Sequence, residues 1–164
     1  MRKILIGHIA YITLYLSLIL LTTLFYNSAN LQIMLYAGWL LLVLGAIILF
    51  ASVKSRKKGY VTEKGIKKEI LVDTGIYAYV RHPEYLGHML IIFSLIFMAQ
   101  YWINIVVGST LIALLFFAIM EEEKRNIRKF GEAYKNYMKN VPRMNLFAGI
   151  FKQLTRKRED RYER

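Results

Sequence analysis

The sequence predicts an all-α integral membrane protein with about four transmembrane helices, the last two a tight hairpin, plus a cytoplasmic amphipathic helix. Three observations predict it. Hydrophobic residues make up 56% of the 164 and mean hydropathy is +0.34, well above a soluble domain of this length. Uncharged apolar runs recur at bilayer length, which is about 20 residues rising roughly 1.5 Å each across a hydrocarbon core of about 30 Å. All 23 lysines and arginines lie in segments that flank or follow those runs, the mark of loops kept beside an anionic leaflet.

Residues 1–53 read as two helices. Ile4 to Tyr26 carries no formal charge and is longer than the apolar core of a secretory signal, so it is read as a retained span. The polar turn "NSAN", Asn27 to Asn30, leads into a second uncharged run from Leu31 to Val53. Gly38 and Gly45 in that run predict close helix packing, because small residues let backbones approach in lipid. Residues 54–84 form a polar, basic loop broken by Gly59 and Gly65. Within it "EILVDTGIY" reads as a short extended segment and a turn, and a loop this long is often functional.

From Tyr85 to Met120 the chain has 36 residues without a formal charge, roughly 54 Å as one helix. That is too long for one span and suits two short ones, turning at the polar, aromatic "QYWIN", Gln100 to Asn104. In residues 121–143, Ile127, Phe130, Tyr134, Tyr137 and Met138 recur at helical spacing among basic residues. The pattern predicts one amphipathic helix, ended by Pro142. Residues 144–164 are a basic tail, and its part from Lys152 to Arg164, charge-dense and without an apolar face of any size, is expected to be mobile or lipid-facing.

The basic residues orient this plan. Two stand at the N-terminus, eight between Lys54 and Arg81, and thirteen from Lys124 onward, while the turns at Asn27 to Asn30 and Gln100 to Asn104 have none. Both termini and the long loop are therefore expected in the cytoplasm. The formal net charge of +12 follows from topology, so no nucleic-acid partner is expected. With no cysteine, disulfides, thiolate metal sites and cysteine nucleophiles are excluded.

This orientation brings "VRHPEYLGH", Val80 to His88, to the same side as "EEEKR", Glu121 to Arg125. Pro83 suits the first turn of a helix, with His82 at or near the N-cap. A helix start collects free N–H groups and partial positive charge, which favour a carboxylate or phosphate. Arg81 can grip an anion or simply anchor at the interface. Tyr77, Tyr79 and Tyr85 are ligand surfaces or an interfacial belt, and the glutamates are ligand acceptors or a solvated turn. Glu84 and His88, four apart, have the spacing of metal ligands, but Pro83 separates His82 from that geometry and no metal is expected.

"LVDTGIYAYVRHPEYLGHMLI", an apolar hairpin, and "EEEKRNIRKFGEAYKNYMKNVPR" together resemble the isoprenylcysteine carboxyl methyltransferase family and the related phospholipid methyltransferases. The resemblance runs from about Glu69 to Arg143. It implies a multi-pass membrane enzyme that uses S-adenosyl-L-methionine and acts on a lipid-like or lipidated substrate. By position it implies cofactor contacts at Glu69, Ile70, Leu71, Val72, Tyr77, His82, Pro83, Glu84, Tyr85 and Glu122. Eukaryotic members carry an arginine one turn before the glutamate, a position matched here by Ala118. No catalytic base, acceptor atom or oligomeric state is implied. The other readings are a phospholipid amine N-methyltransferase, a sterol-reductase-like NADPH-binding enzyme, and a non-enzymatic scaffold whose basic face binds anionic lipid.

Overall fold

A computed structural model describes residues 2–63 and 66–162. Its helices are α1 (Arg2–Leu24), α2 (Gln32–Arg56), α3 (Pro83–Ala99), α4 (Trp102–Phe130), α5 (Glu132–Asn140) and α6 (Leu146–Tyr162), with strands β1 (Tyr60–Glu63) and β2 (Ile66–Glu69) between α2 and α3. Helices α2 and α4 are long and apolar enough to cross a membrane, while Ile9–Leu24 and Pro83–Ala99 are shorter apolar helices.

The fold is helical as expected, with a small hairpin in which β1 and β2 pair antiparallel, Tyr60 opposite Glu69 and Glu63 opposite Ile66. The extended segment expected in "EILVDTGIY" is the end of that hairpin at Glu69, and the expected turn lies at Gly75–Ala78. Gly65, expected to interrupt this loop, lies outside the described residues. The amphipathic helix of residues 121–143 is two pieces. No glycine or proline separates Met120 from Phe130, so α4 runs on through the glutamates, and the break comes at Gly131, whose φ of 56° suits a residue without Cβ. The tail from Lys152, expected to be mobile or lipid-facing, continues a helix, α6, that begins at Leu146.

The chain divides into two compact units. The first comprises Met1–Ala46 and Gly87–Met120. Here a Cβ on Gly45 would fall 2.9 Å from the Gly87 carbonyl oxygen, and one on Gly38 would meet Met98 and Ser94; the glycine seam expected on α2 packs against α3. Its uncharged turns clasp one another. The amides of Asn27 and Ser28 donate to the carbonyls of Met98 and Ala99, and Gln100 exchanges hydrogen bonds of 2.9 Å with the backbone of Leu31 in both directions. Buried Asn104 donates to Thr22 Oγ1 at 3.1 Å.

The second unit comprises Ile47–Leu86 and Glu121–Arg164. Its apolar core is Tyr134, Tyr137 and Val141, with Leu71, Ile127, Phe130 and Met138 packed around them. Apart from Val141 and Leu71, these are the periodic residues of the sequence pattern, split between α4 and α5. Tyr137 also donates its hydroxyl to the Tyr77 carbonyl at 2.7 Å, which ties the loop before α3 to α5.

Candidate functional site

The two sequence motifs are joined through their backbones. The Arg81 amide donates to the Pro142 carbonyl at 3.0 Å and the His82 amide to the Arg143 carbonyl at 3.2 Å. Pro142 serves here because it lacks a donor but keeps an acceptor. The "VPR" turn thus fixes the approach to α3, and Pro83 follows fully buried in its first position. Leu86 is the first residue whose amide reaches back, to the His82 carbonyl. The amides of Glu84 and Tyr85 precede it and have no acceptor in their own helix.

Beneath this junction lies a buried ionic hub. Glu123 is 5% exposed, and its carboxylate takes Arg143 Nε at 3.1 Å and NH2 at 2.6 Å, Arg81 NH1 at 2.9 Å and His82 Nε2 at 3.3 Å. The contact from Arg81 lacks the alignment of a hydrogen bond, and its Nε has no protein acceptor. An ionised carboxylate only accepts, so His82 carries its proton on Nε2. Burial pushes the imidazole below the ordinary histidine value, against the pull of Glu122 and Glu123, and two arginines already neutralise Glu123. His82 is therefore a neutral donor at neutral pH, built into the frame.

A second polar set stands beside the hub in the same unit. Tyr85 donates to Glu122 Oε2 at 2.6 Å, Arg56 NH1 pairs with Glu84 Oε2 at 2.7 Å, and the hydroxyls of Ser52 and Tyr77 meet at 3.0 Å. Burial raises the Tyr77 phenol, with smaller contributions from Glu84, Arg56 and Glu122, so these groups share one electrostatic environment. It holds carboxylates that accept from cations or hydroxyls, beside helix-start amides that donate to anions.

The expected contacts therefore separate. Tyr77, Glu84, Tyr85 and Glu122 come together; His82 and Pro83 belong to the frame. Of residues 69–72, Ile70 donates its amide to the Gly59 carbonyl at 2.8 Å, Leu71 packs on the Tyr134 core and Val72 lies against Gly59. The Glu69 backbone ends β2, and its side chain lies outside what is described. Glu84 and His88 do not act as a pair: Glu84 holds Arg56, while the His88 ring stands edge-on to Tyr11 and Tyr15.

Sequence reading missed Glu123, Arg143, Ser52 and Arg56. Adjacent glutamates on a helix point about 100° apart, since 3.6 residues complete a turn, so Glu122 and Glu123 had to take different partners. A cavity of about 840 Å³ also opens between α5 and α6, lined by Leu71, Asp73, Asn136, Tyr137, Asn140 and Phe151 among others. Of the expected contacts, its lining includes Leu71 and none of Tyr77, Glu84, Tyr85 or Glu122.

A model of the family described as phospholipid methyltransferase matches residues 33–133. The chain is 36% identical over 84 residues to a protein-S-isoprenylcysteine O-methyltransferase of Schizosaccharomyces pombe, covering 50% of this chain and 35% of that protein. It is also 36% identical over 73 residues to a methanethiol S-methyltransferase of Crocosphaera subtropica, covering 44% of this chain and 28% of that one. The chain thus spans about a third of the length of these curated relatives.

Proposed function

Since the chain belongs to the phospholipid methyltransferase family, we propose that it is an integral membrane methyltransferase that moves a methyl group from S-adenosyl-L-methionine to a lipid-like or lipidated acceptor. The observation that carries this reading is the set Arg56, Tyr77, Glu84, Tyr85 and Glu122 at a helix start clamped by the "VPR" turn. The multi-pass plan has α1 to α4 as four spans, α3 and α4 as the hairpin and both termini in the cytoplasm. It rests on the basic-residue distribution.

The donor set fits such a cofactor. Glu122 and Glu84 would accept from its ammonium or ribose hydroxyls, and the amides of Glu84 and Tyr85 would receive its carboxylate. When bound, such a cofactor would supply an activated methyl on a sulfonium, the neutral thioether leaving as the methyl passes in line to a nucleophile held near van der Waals contact. This chain's part is positioning. Tyr85 fixes the Glu122 carboxylate through its hydroxyl, Arg56 fixes Glu84, and Glu123 on α4 holds Arg81 and His82 at the entry to α3, which carries Glu84 and Tyr85. A carboxylate acceptor arrives as its own nucleophile and needs no base.

A second reading, N-methylation of a phospholipid amine, is favoured by the description of the matching family. An ammonium must lose a proton before it attacks, and Glu84 is then the group to take it. Membranes containing the protein, incubated with methyl-labelled S-adenosylmethionine and extracted, separate the readings. A base-labile labelled ester indicates a carboxylate, a base-stable labelled head group indicates an amine, and no protein-dependent label sinks both.

A further inference from the structure

Helix α6 has two unlike sides. On one, a Cβ on Gly149 would collide with the Tyr79 carbonyl, and Gln153 Nε2 donates to the Ala78 carbonyl at 2.9 Å. The helix is thus seated directly on the backbone that leads into Arg81 and His82, and Asn145 Oδ1 caps its start through the Ala148 amide at 2.9 Å. The other side carries Phe147, Phe151 and Leu154, which are 85%, 72% and 62% exposed, although Phe151 also borders the cavity between α5 and α6. Their spacing of four and three residues is that of one helical face. In the sequence the same spacing continues to Arg158 and Arg161, whereas Glu159, Asp160 and Glu163 fall off the repeat.

We propose that α6 lies in the plane of an anionic bilayer surface, with Phe147, Phe151 and Leu154 in the acyl boundary, and that this seating holds the Ala78–Tyr79 backbone in place. An apolar stripe that turns basic along its length suits a lipid interface, where rings enter the boundary and arginines meet phosphates. A second copy fits less well, because the sequence from Lys152 to Arg164 holds more basic than acidic residues and would meet its own kind. The bilayer is already at hand for a chain containing α2 and α4. The inference rests on that membrane setting alone, not on the methyl donor or the acceptor.

The absence of cysteine lets a single Phe151→Cys spin label report depth. The full chain is reconstituted in nanodiscs of phosphatidylcholine alone or with phosphatidylglycerol. The label should be shielded from a water-soluble relaxation agent and accessible to oxygen in the anionic discs, while one at Lys152→Cys stays water-accessible. In unlabelled protein, Phe147→Ser/Phe151→Ser should speed amide exchange over residues 75–82 several-fold in those discs, with α5 unchanged. A label at 151 that is water-accessible in anionic discs overturns the proposal. So does dipolar broadening that shows two copies paired through this face, or exchange over residues 75–82 indifferent to the double substitution. None of these readouts uses methyl transfer, so failure here and failure of the methyltransferase reading remain distinct.

Discussion

The two units are held together by opposite chemistry. In the first, packing is close and nearly uncharged: Gly38 and Gly45 admit α3, and the buried Asn104 amide donates to the Thr22 hydroxyl. In the second, a single carboxylate gathers two arginines and a histidine. The first suits a lipid solvent, where apolar contact between helices gains little over contact with tails and small residues supply fit. The second concentrates charge where ligands of either sign can be held, at the cost of desolvating it. Stability in one unit depends on shape, and in the other on charge balance.

Glu123→Ala should break that contrast most severely, because it leaves Arg81 buried beside Arg143 with their shared partner gone. We expect a loss of roughly 3–5 kcal/mol, seen as a much lower unfolding midpoint in detergent. Gly45→Val tests the other unit. Its side chain must displace the Gly87 backbone, costing about 1–3 kcal/mol by overpacking, and the same denaturation series checks it. Should Glu123→Ala prove milder than Gly45→Val, the contrast between the units fails.

Smaller effects sharpen the comparison. Tyr85→Phe removes one hydrogen bond at the edge of the polar set and should cost about 1 kcal/mol of stability, while weakening cofactor-product binding by more than that loss alone. Asn104→Leu, which deletes the amide that meets Thr22, should cost on the order of 0.6 kcal/mol, as expected within a bilayer. The smallest effect concerns pH. His82 is held neutral by burial, with its pKa below the ordinary value, so the unfolded chain takes up its proton first as pH falls. Stability should therefore decline below about pH 6.5, and the decline should be shallower in His82→Asn when unfolding midpoints are followed down the pH scale.

Much of the first unit was legible because lipid imposes simple rules. Length, absence of charge and small-residue spacing marked α2 and its seam, and the uncharged turns marked the ends that bond to one another. The second unit was harder. Periodicity found the Tyr134 and Tyr137 face, but it did not distinguish one helix from two, since only Gly131 separates α4 from α5. The tail was read by charge alone, which concealed the spacing of Phe147, Phe151 and Leu154. Partners supplied from distant segments, Arg143 to Glu123 and Arg56 to Glu84, leave no local trace, because surface arginines are common wherever basic loops face a leaflet.

On the proposed reading, Tyr85, Glu84 and Glu122, set on the frame of His82 and Glu123, hold a methyl donor. Isothermal titration of the purified chain with S-adenosylhomocysteine, alongside Glu122→Ala, tests it most directly. Saturable binding to the native protein, lost or strongly weakened in a Glu122→Ala protein that unfolds at the same midpoint, is the predicted result. A folded native chain that binds nothing, or a variant that binds as well as the native chain, would contradict it.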